Sequence, residues 1–221
     1  METIHACGKR GLGDIVKLTS TILTLYSNKH IVFHFPPGFD YKSTIKTLMD
    51  QYDLKEKNLT YEVDETWYTI DENVAKEHFG DTPFIFKTNI GSSHYPFKQQ
   101  WKGNTDSYVC LCLNNENTRS DYPYPEKWFD KKTDRFLNSL VDNKNYFVLG
   151  RPLSVQQNID LMENCSLVIG TDGGWAHVAN SMNVPYILVR NDISLNLMKH
   201  VHLGHPTLKI IETHDLLNYL V

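Results

Sequence analysis

The chain reads as an α/β protein made of two small halves, each built on a parallel sheet, with a cleft shared between them. Short unbroken apolar runs, such as Leu167-Val168-Ile169 and Tyr186-Ile187-Leu188-Val189, have the composition of strands buried on both faces, which parallel sheets require. Stretches with helical spacing alternate with these runs. At two places, Gly8 to Asp14 and Thr171 to Gly174, a glycine-bearing turn carries the chain from a strand straight into a helix. Together these features predict two Rossmann-like halves, residues 1–104 and 105–221, whose ligands would lie at the carboxyl ends of the strands.

In the first half Thr3 to Cys7 is a strand. The turn Gly8-Lys-Arg-Gly-Leu-Gly-Asp14 follows it, and then a helix with Ile15, Leu18, Ile22 and Leu25 on one face. His30 to Phe35 is the second strand, Lys42 to Tyr52 a helix, Leu59 to Val63 the third strand, Asp71 to Phe79 a helix and Pro83 to Lys87 a fourth strand. Thr88 to Thr105 holds His94, Tyr95, Phe97, Lys98, Trp101 and Lys102 and no acidic residue. It reads as a linker between the halves with packed aromatics. The alternative is a platform on which bases or sugars stack while lysines meet phosphates.

The second half opens with a strand from Ser107 to Leu113, and a helix is expected to end at Leu140. Tyr146 to Leu149 is a strand, and Gly150-Arg-Pro-Leu-Ser154 leads into a helix reaching Met162. Leu167 to Gly170 is the central strand. Trp175, Val178, Ala179 and Met182 then recur at i, i+3, i+4 and i+7, so a helix runs from Gly174 until Asn183 and Pro185 stop it. Tyr186 to Val189 and Leu208 to Ile211 are the last strands, with a final helix over His214 to Leu220.

The turn before the Gly174 helix has the chemistry of an anion site. Gly173 and Gly174 let the backbone approach a ligand, and the first helical amides are donors at the positive end of the dipole. Asp172 can cap the helix and His177, one turn in, can reach the same mouth; read alone, each is equally well a cap and a packed histidine. The run Gly170-Thr-Asp-Gly-Gly-Trp-Ala-His-Val-Ala-Asn-Ser-Met-Asn-Val-Pro185 resembles the Asp-Thr-Gly-x-x-His-x-Ala-x-x-x-x-x-x-Pro signature of family 9 glycosyltransferases, the heptosyltransferase-like enzymes of GT-B fold.

That resemblance implies a minimal GT-B enzyme. It gives Asp172 and His177 to a nucleotide diphosphate sugar donor in the second half, and makes the first half the acceptor side. Gly11-Leu-Gly-Asp-Ile15 is similar to the element that opens this family, which implies that Asp14 is the catalytic base; an inverting transferase needs one carboxylate within hydrogen-bond reach of the acceptor hydroxyl. On this reading Lys9, Arg10, Gly13, Tyr95 and Trp101 belong to the acceptor side. The loop from Asn114 to Arg119 corresponds to one that meets donor phosphates, and Arg119 has the guanidinium suited to clamp a diphosphate. Tyr122-Pro-Tyr-Pro-Glu-Lys-Trp128 is similar to the family's Lys-x-Trp-Pro-x-x-x-Trp segment, but Tyr122 stands roughly where the lysine would be. The strand and helix that larger relatives carry before the central motif are missing.

Composition narrows the remaining classes. The 221 residues are 41% apolar and 22% charged with a net charge of −4, as expected of a soluble globular chain with no global bias toward nucleic acid. No apolar run is long enough to span a bilayer and the first residues lack the apolar core of a signal peptide, so the expected location is cytoplasmic. Cys7, Cys110, Cys112 and Cys165 show no CxxC pairing and are expected as small buried residues in a reducing compartment. His200, His202 and His205 cluster, but as a polar turn or acceptor-side loop rather than a metal site; no metal and no cofactor is expected. The acceptor is expected to be an envelope saccharide or a hydroxymethylated pyrimidine in phage DNA. The competing readings are a non-catalytic nucleotide-binding module and a NAD- or S-adenosylmethionine-dependent enzyme using Gly8-x-x-Gly11-x-Gly13. The latter usually requires an acidic residue after the second strand, where this chain has His34-Phe-Pro-Pro37.

Overall fold

A computed structural model describes residues 1–7, 11–37, 40–86, 94–103, 108–112, 139–140, 145–150, 152–170, 173–190, 208–212 and 215–216. The chain divides into two units, Met1–Lys98 and Gln99–Val221, so the division falls ahead of the expected 104/105 boundary.

The first unit runs β1 (Glu2–Cys7), α1 (Leu12–Leu25), β2 (Lys29–His34), α2 (Tyr41–Asp50), α3 (Leu54–Lys57), β3 (Thr60–Asp64), α4 (Glu72–Phe79) and β4 (Phe84–Ile85). Its four strands form a parallel sheet in the order β3-β2-β1-β4. Apolar residues on both sides of the strands explain this, since Ile4, Ala6, Ile31 and Phe33 are buried on one side and Cys7 and Val32 on the other. α1 is enclosed almost all round: Ile15, Val16, Leu18, Ile22 and Leu23 are buried, and so are Thr19, Ser20 and Thr21. The threonine hydroxyls tolerate this by bonding backward, Thr19 to the carbonyls of Ile15 and Val16 and Thr21 to that of Lys17. Leu25, expected on the apolar face, is the last residue of the helix and is 62% exposed. Tyr52 lies fully buried against α1, its hydroxyl 3.2 Å from that of Thr19, and burial pushes its phenol up to about 12.

The second unit contains β5 (Val109–Cys112), β6 (Tyr146–Val148), α5 (Val155–Asn164), β7 (Leu167–Gly170), α6 (Gly174–Met182), β8 (Tyr186–Arg190) and β9 (Leu208–Glu212). These five strands are also parallel, in the order β6-β5-β7-β8-β9. Leu111, Ile169, Ile187, Val189, Ile211 and Leu216 make one core cluster. α5 opens with a capping box: Ser154 accepts from the Gln157 amide and the Gln157 side chain accepts from the Ser154 amide. α6 ends at Asn183, whose left-handed backbone lets the amides of Asn183 and Val184 close on the last turn. The expected helices ending at Leu140 and spanning His214 to Leu220 lie outside the described residues except for Ser139, Leu140, Asp215 and Leu216.

All four cysteines are buried and free. Burial raises the Cys7 thiol to about 12, and the Cys110 thiol is driven up by its hydrogen bond with Cys165 and by burial, so both are protonated at neutral pH.

The segment before α5 is fixed by one side chain. Asn158 is fully buried; its Nδ2 donates to the carbonyls of Ser154 at 2.7 Å and of Gly150 and Leu153 at 3.3 Å, and its Oδ1 accepts from the Gly150 amide at 2.7 Å. Asn158→Leu would leave several backbone groups buried without partners. Urea unfolding should show a loss of about 2–4 kcal/mol, and a change within about 0.5 kcal/mol would mean that water replaces the amide.

Candidate active site

In an open parallel sheet a ligand crevice forms where neighbouring strands send their connections in opposite directions. In the first unit this happens between β1, followed by β2 on one side, and β4 on the other, so the crevice lies at the carboxyl ends marked by Cys7 and Ile85. In the second it lies between β5 and β7, where Cys112 pairs with Gly170. The two glycine-bearing turns singled out in the sequence leave from β1 and β7. Topology therefore puts the helix starts that follow them, at Gly11 and Gly173, at their units' crevices.

In the first unit the turn delivers α1. Gly11 is the N-cap residue, extended and with no side chain to cap the helix, and its carbonyl takes the first helical bond from Ile15 at 3.1 Å. Gly13 is buried; Asp14 is half-buried in the first turn, the one acidic side chain there. A Cβ placed on Gly11 would sit 3.4 Å from Asp14 Oδ2, so the carboxylate lies against the start of the helix, where the dipole favours negative charge. Lys9 and Arg10 lie outside the described residues.

In the second unit Gly173 is the N-cap of α6, extended, again without a side-chain cap, and Gly174 begins the helix. Both are half-buried, and the Ala176 amide bonds the Gly173 carbonyl at 3.0 Å. His177, in the first turn, is 7% exposed. The helix is more enclosed than its apolar stripe implies: Ala176, Val178, Ala179, Asn180, Ser181 and Met182 are all buried, whereas Trp175 is only half-buried. Asp172, Asn114 and Arg119 lie outside the described residues, as do the Tyr122 to Trp128 segment and the histidines at 200, 202 and 205. Among the described residues no group of three or more His, Cys, Asp or Glu side chains is disposed to hold a metal ion.

The floor of the β5–β7 crevice is unusually tight. A Cβ on Gly170 would lie 2.4 Å from Cys112 Cβ, 2.7 Å from the Tyr186 hydroxyl oxygen and 2.9 Å from the Cys112 carbonyl oxygen. Sequence reading placed Gly170 only as the end of a strand. It carries a second constraint, which neighbouring strands impose and the local sequence does not show.

Tyr95 and Trp101, expected on the acceptor side, have partners within the chain. Tyr95 packs edge-on to Tyr52 with ring centres 5.9 Å apart, and Lys57 Nζ lies 5.6 Å from its ring centre. Phe97 is buried beside Tyr52 and the Lys98 amide bonds the Gln51 carbonyl at 2.6 Å. These partners follow α2 or end α3 and lead into the amino end of β3, the opposite edge from Asp14. Trp101 belongs to the second unit. Its indole N–H donates to the Cys165 carbonyl at 2.8 Å and its amide to that of Met182 at 3.0 Å, while the Lys102 amide donates to Glu163. Residues 99–102 thus strap the carboxyl ends of α5 and α6, with Gln100 bonding the Ser181 carbonyl and Asn183. Tyr95 and Trp101, each half-buried, thus have packing partners near the amino edges of the two sheets, and residues 99–102 are bonded to the second unit, to which the division after residue 98 assigns them.

Comparison with known proteins gives three results. Residues 49–189 match the family described as glycosyltransferase family 9 (heptosyltransferase). No curated protein matches. Among solved structures, the E. coli heptosyltransferase WaaC with ADP aligns over 100% of this chain and 99% of its own at 10% identity, with a TM-score of 0.49.

Gly170→Ala should lower stability by about 1–3 kcal/mol through overpacking, read as a reduced urea midpoint. An unchanged midpoint would show that Cys112 and Tyr186 can move aside. The family match covers well over half of the chain and includes the Gly170–Pro185 motif, and on that ground the chain belongs to glycosyltransferase family 9 and is a glycosyltransferase of the heptosyltransferase-like, GT-B class.

Proposed function

We propose that this glycosyltransferase moves a sugar from a nucleotide diphosphate donor to an acceptor hydroxyl with inversion, using Asp14 as the base and asking for no metal. The observation that carries the reading is the position of the two uncapped, glycine-started helices, each at the crevice of its own sheet. A helix of this kind offers unpaired amides and a positive dipole end. At α6 that suits a diphosphate, with Gly173 and Gly174 allowing close approach, Asp172 and His177 orienting the donor, and Asn114 and Arg119 completing the grip. At α1 the same dipole end favours the negative charge of Asp14, the carboxylate that would take the proton, with Gly13, Lys9 and Arg10 lining the acceptor side.

The reaction then balances simply. The acceptor oxygen attacks the anomeric carbon as its proton passes to the Asp14 carboxylate. The bond from that carbon to the diphosphate oxygen breaks on the opposite face, and the charge released on the diphosphate is met by the α6 amides and Arg119. Of the two acceptor classes we favour a saccharide. What supports this choice is that Phe97 is buried and the Trp101 indole N–H is already engaged by the Cys165 carbonyl, which reduces what that stretch offers to a stacked base.

Labelled nucleoside diphosphate sugars offered with a saccharide array, and separately with hydroxymethylpyrimidine DNA, test this directly. Asp14→Asn should cut kcat by roughly 10²–10⁴-fold with donor affinity within about threefold. Full turnover by that variant would remove Asp14 from the mechanism, and transfer to the DNA alone would reverse the choice of acceptor.

A further inference from the structure

One face of the first unit's sheet is lined by histidines that the transfer reaction does not use. The parallel register sets His34 beside both Cys7 and Asp64, so His5 and Cys7 on β1, His30 and His34 on β2, and Glu62 and Asp64 on β3 all point to the same side. α4 and the segment before it cover that side: Phe79 stacks on the His5 ring at 4.5 Å, Trp67 meets His34 edge-on at 5.5 Å, and His78 stacks on Trp67 at 3.9 Å. Phe84, Phe86 and Ala75 complete the cover.

At the centre, His5 Nδ1 and His34 Nε2 are 2.8 Å apart. Asp64 Oδ2 lies 3.1 Å from His34 Nδ1, at ion-pair distance though off the direction of a ring N–H, and Asp64 Oδ1 accepts from the Thr66 amide and hydroxyl. A contact of 2.8 Å between two imidazole nitrogens needs one lone pair. It admits a neutral pair, or a pair sharing one proton; with both rings protonated, two N–H donors meet head to head.

We propose that the His5–His34 pair is a proton-operated latch, in which a second proton on the pair forces the rings apart and releases the α4–Trp67 cover from the sheet. The inference rests on the first unit alone and is independent of the transferase mechanism. Groups facing the pair act in both directions. From β3, Asp64 and Glu62 draw protons in; from β2 and α4, His30 and His78 repel them once charged; from β1, Cys7 stays a neutral thiol. Burial is the largest effect on each ring and holds both His5 and His34 below the ordinary histidine value of about 6.5.

The sign follows from proton binding. The folded state takes up these protons less readily than the unfolded chain, so the stabilisation is complete above about pH 6.5 and is lost as pH falls through the depressed folded values. His30 lies at the edge of this face, its ring 2.8 Å from the Thr60 hydroxyl and 3.7 Å from Glu62.

The test compares the full chain with His5→Asn/His34→Gln, a pair that keeps a neutral donor and acceptor in place of the facing nitrogens. Between pH 7.5 and 5.0 the wild-type melting temperature should fall further than the variant's by on the order of 5 °C. In the wild type, hydrogen exchange corrected for intrinsic rate should lose protection at least tenfold over residues 65–79 and not over α1. Equal pH slopes in the two proteins, or protection lost evenly across the unit, would overturn the latch. Should the variant not fold, the imidazole titrations of wild-type His5 and His34 decide. Midpoints below that of free histidine with two-step behaviour support it, and midpoints at or above it refute it.

Discussion

The register that sets Cys112 beside Gly170 governs most of what the second unit does. β5 and β7 approach so closely there that no side chain fits at position 170, and this tightness brings the carboxyl ends of two strands together just where the chain's connections part. A parallel sheet cannot avoid leaving a crevice at such a point. What the sequence adds is the kind of helix that opens beside it: α6 starts on two glycines, its N-cap Gly173 has no side chain to cap it, and it is held rigid because nearly its whole circumference is buried. An anion-binding helix terminus needs that combination of free amides and an immobile axis. The strap at residues 99–102 supplies part of the immobility by bonding the far end of the helix, through contacts to Met182, Ser181 and Asn183.

The first unit repeats the plan with a different payload. Its α1 also begins on an uncapped glycine and is enclosed by packing, but its first turn carries Asp14. The same dipole that would attract a phosphate at α6 here stabilises a carboxylate belonging to the chain itself. On our reading this asymmetry separates a base from a donor site without any change of fold. The other face of the first sheet has taken a separate course, since its polar centre is a histidine pair closed over by a helix of only two turns.

Much of this was legible in the sequence because the periodicities are strong. Unbroken apolar runs gave the strands, with β7 and β8 found nearly residue for residue, and Asn183 marked the end of α6 because it can adopt the left-handed backbone. The short α3 was not anticipated; four residues cannot display a helical repeat. Composition said least about Tyr95 and Trp101. Aromatics interleaved with lysines look alike whether they stack on a ligand or on the protein, and the partners Tyr52 and Cys165 come from far along the chain. The His5–His34 contact was illegible for another reason. Its members are 29 residues apart on different strands, so their meeting depends on register, which neither local sequence contains. For Asp172 the family motif remains the ground of the assignment, and for Asn114 and Arg119 the correspondence of their loop to one that meets donor phosphates.

The measurement that bears most directly on the donor site is a crystal structure of the chain with whichever nucleoside diphosphate, among ADP, GDP, UDP and dTDP, most raises its melting temperature. The account predicts diphosphate oxygens within hydrogen-bond distance of the backbone amides at Gly173 and Gly174, at the start of α6. A diphosphate seated instead on the Gly8 to Gly13 turn would contradict it, and would assign nucleotide binding to the unit that we give to the acceptor.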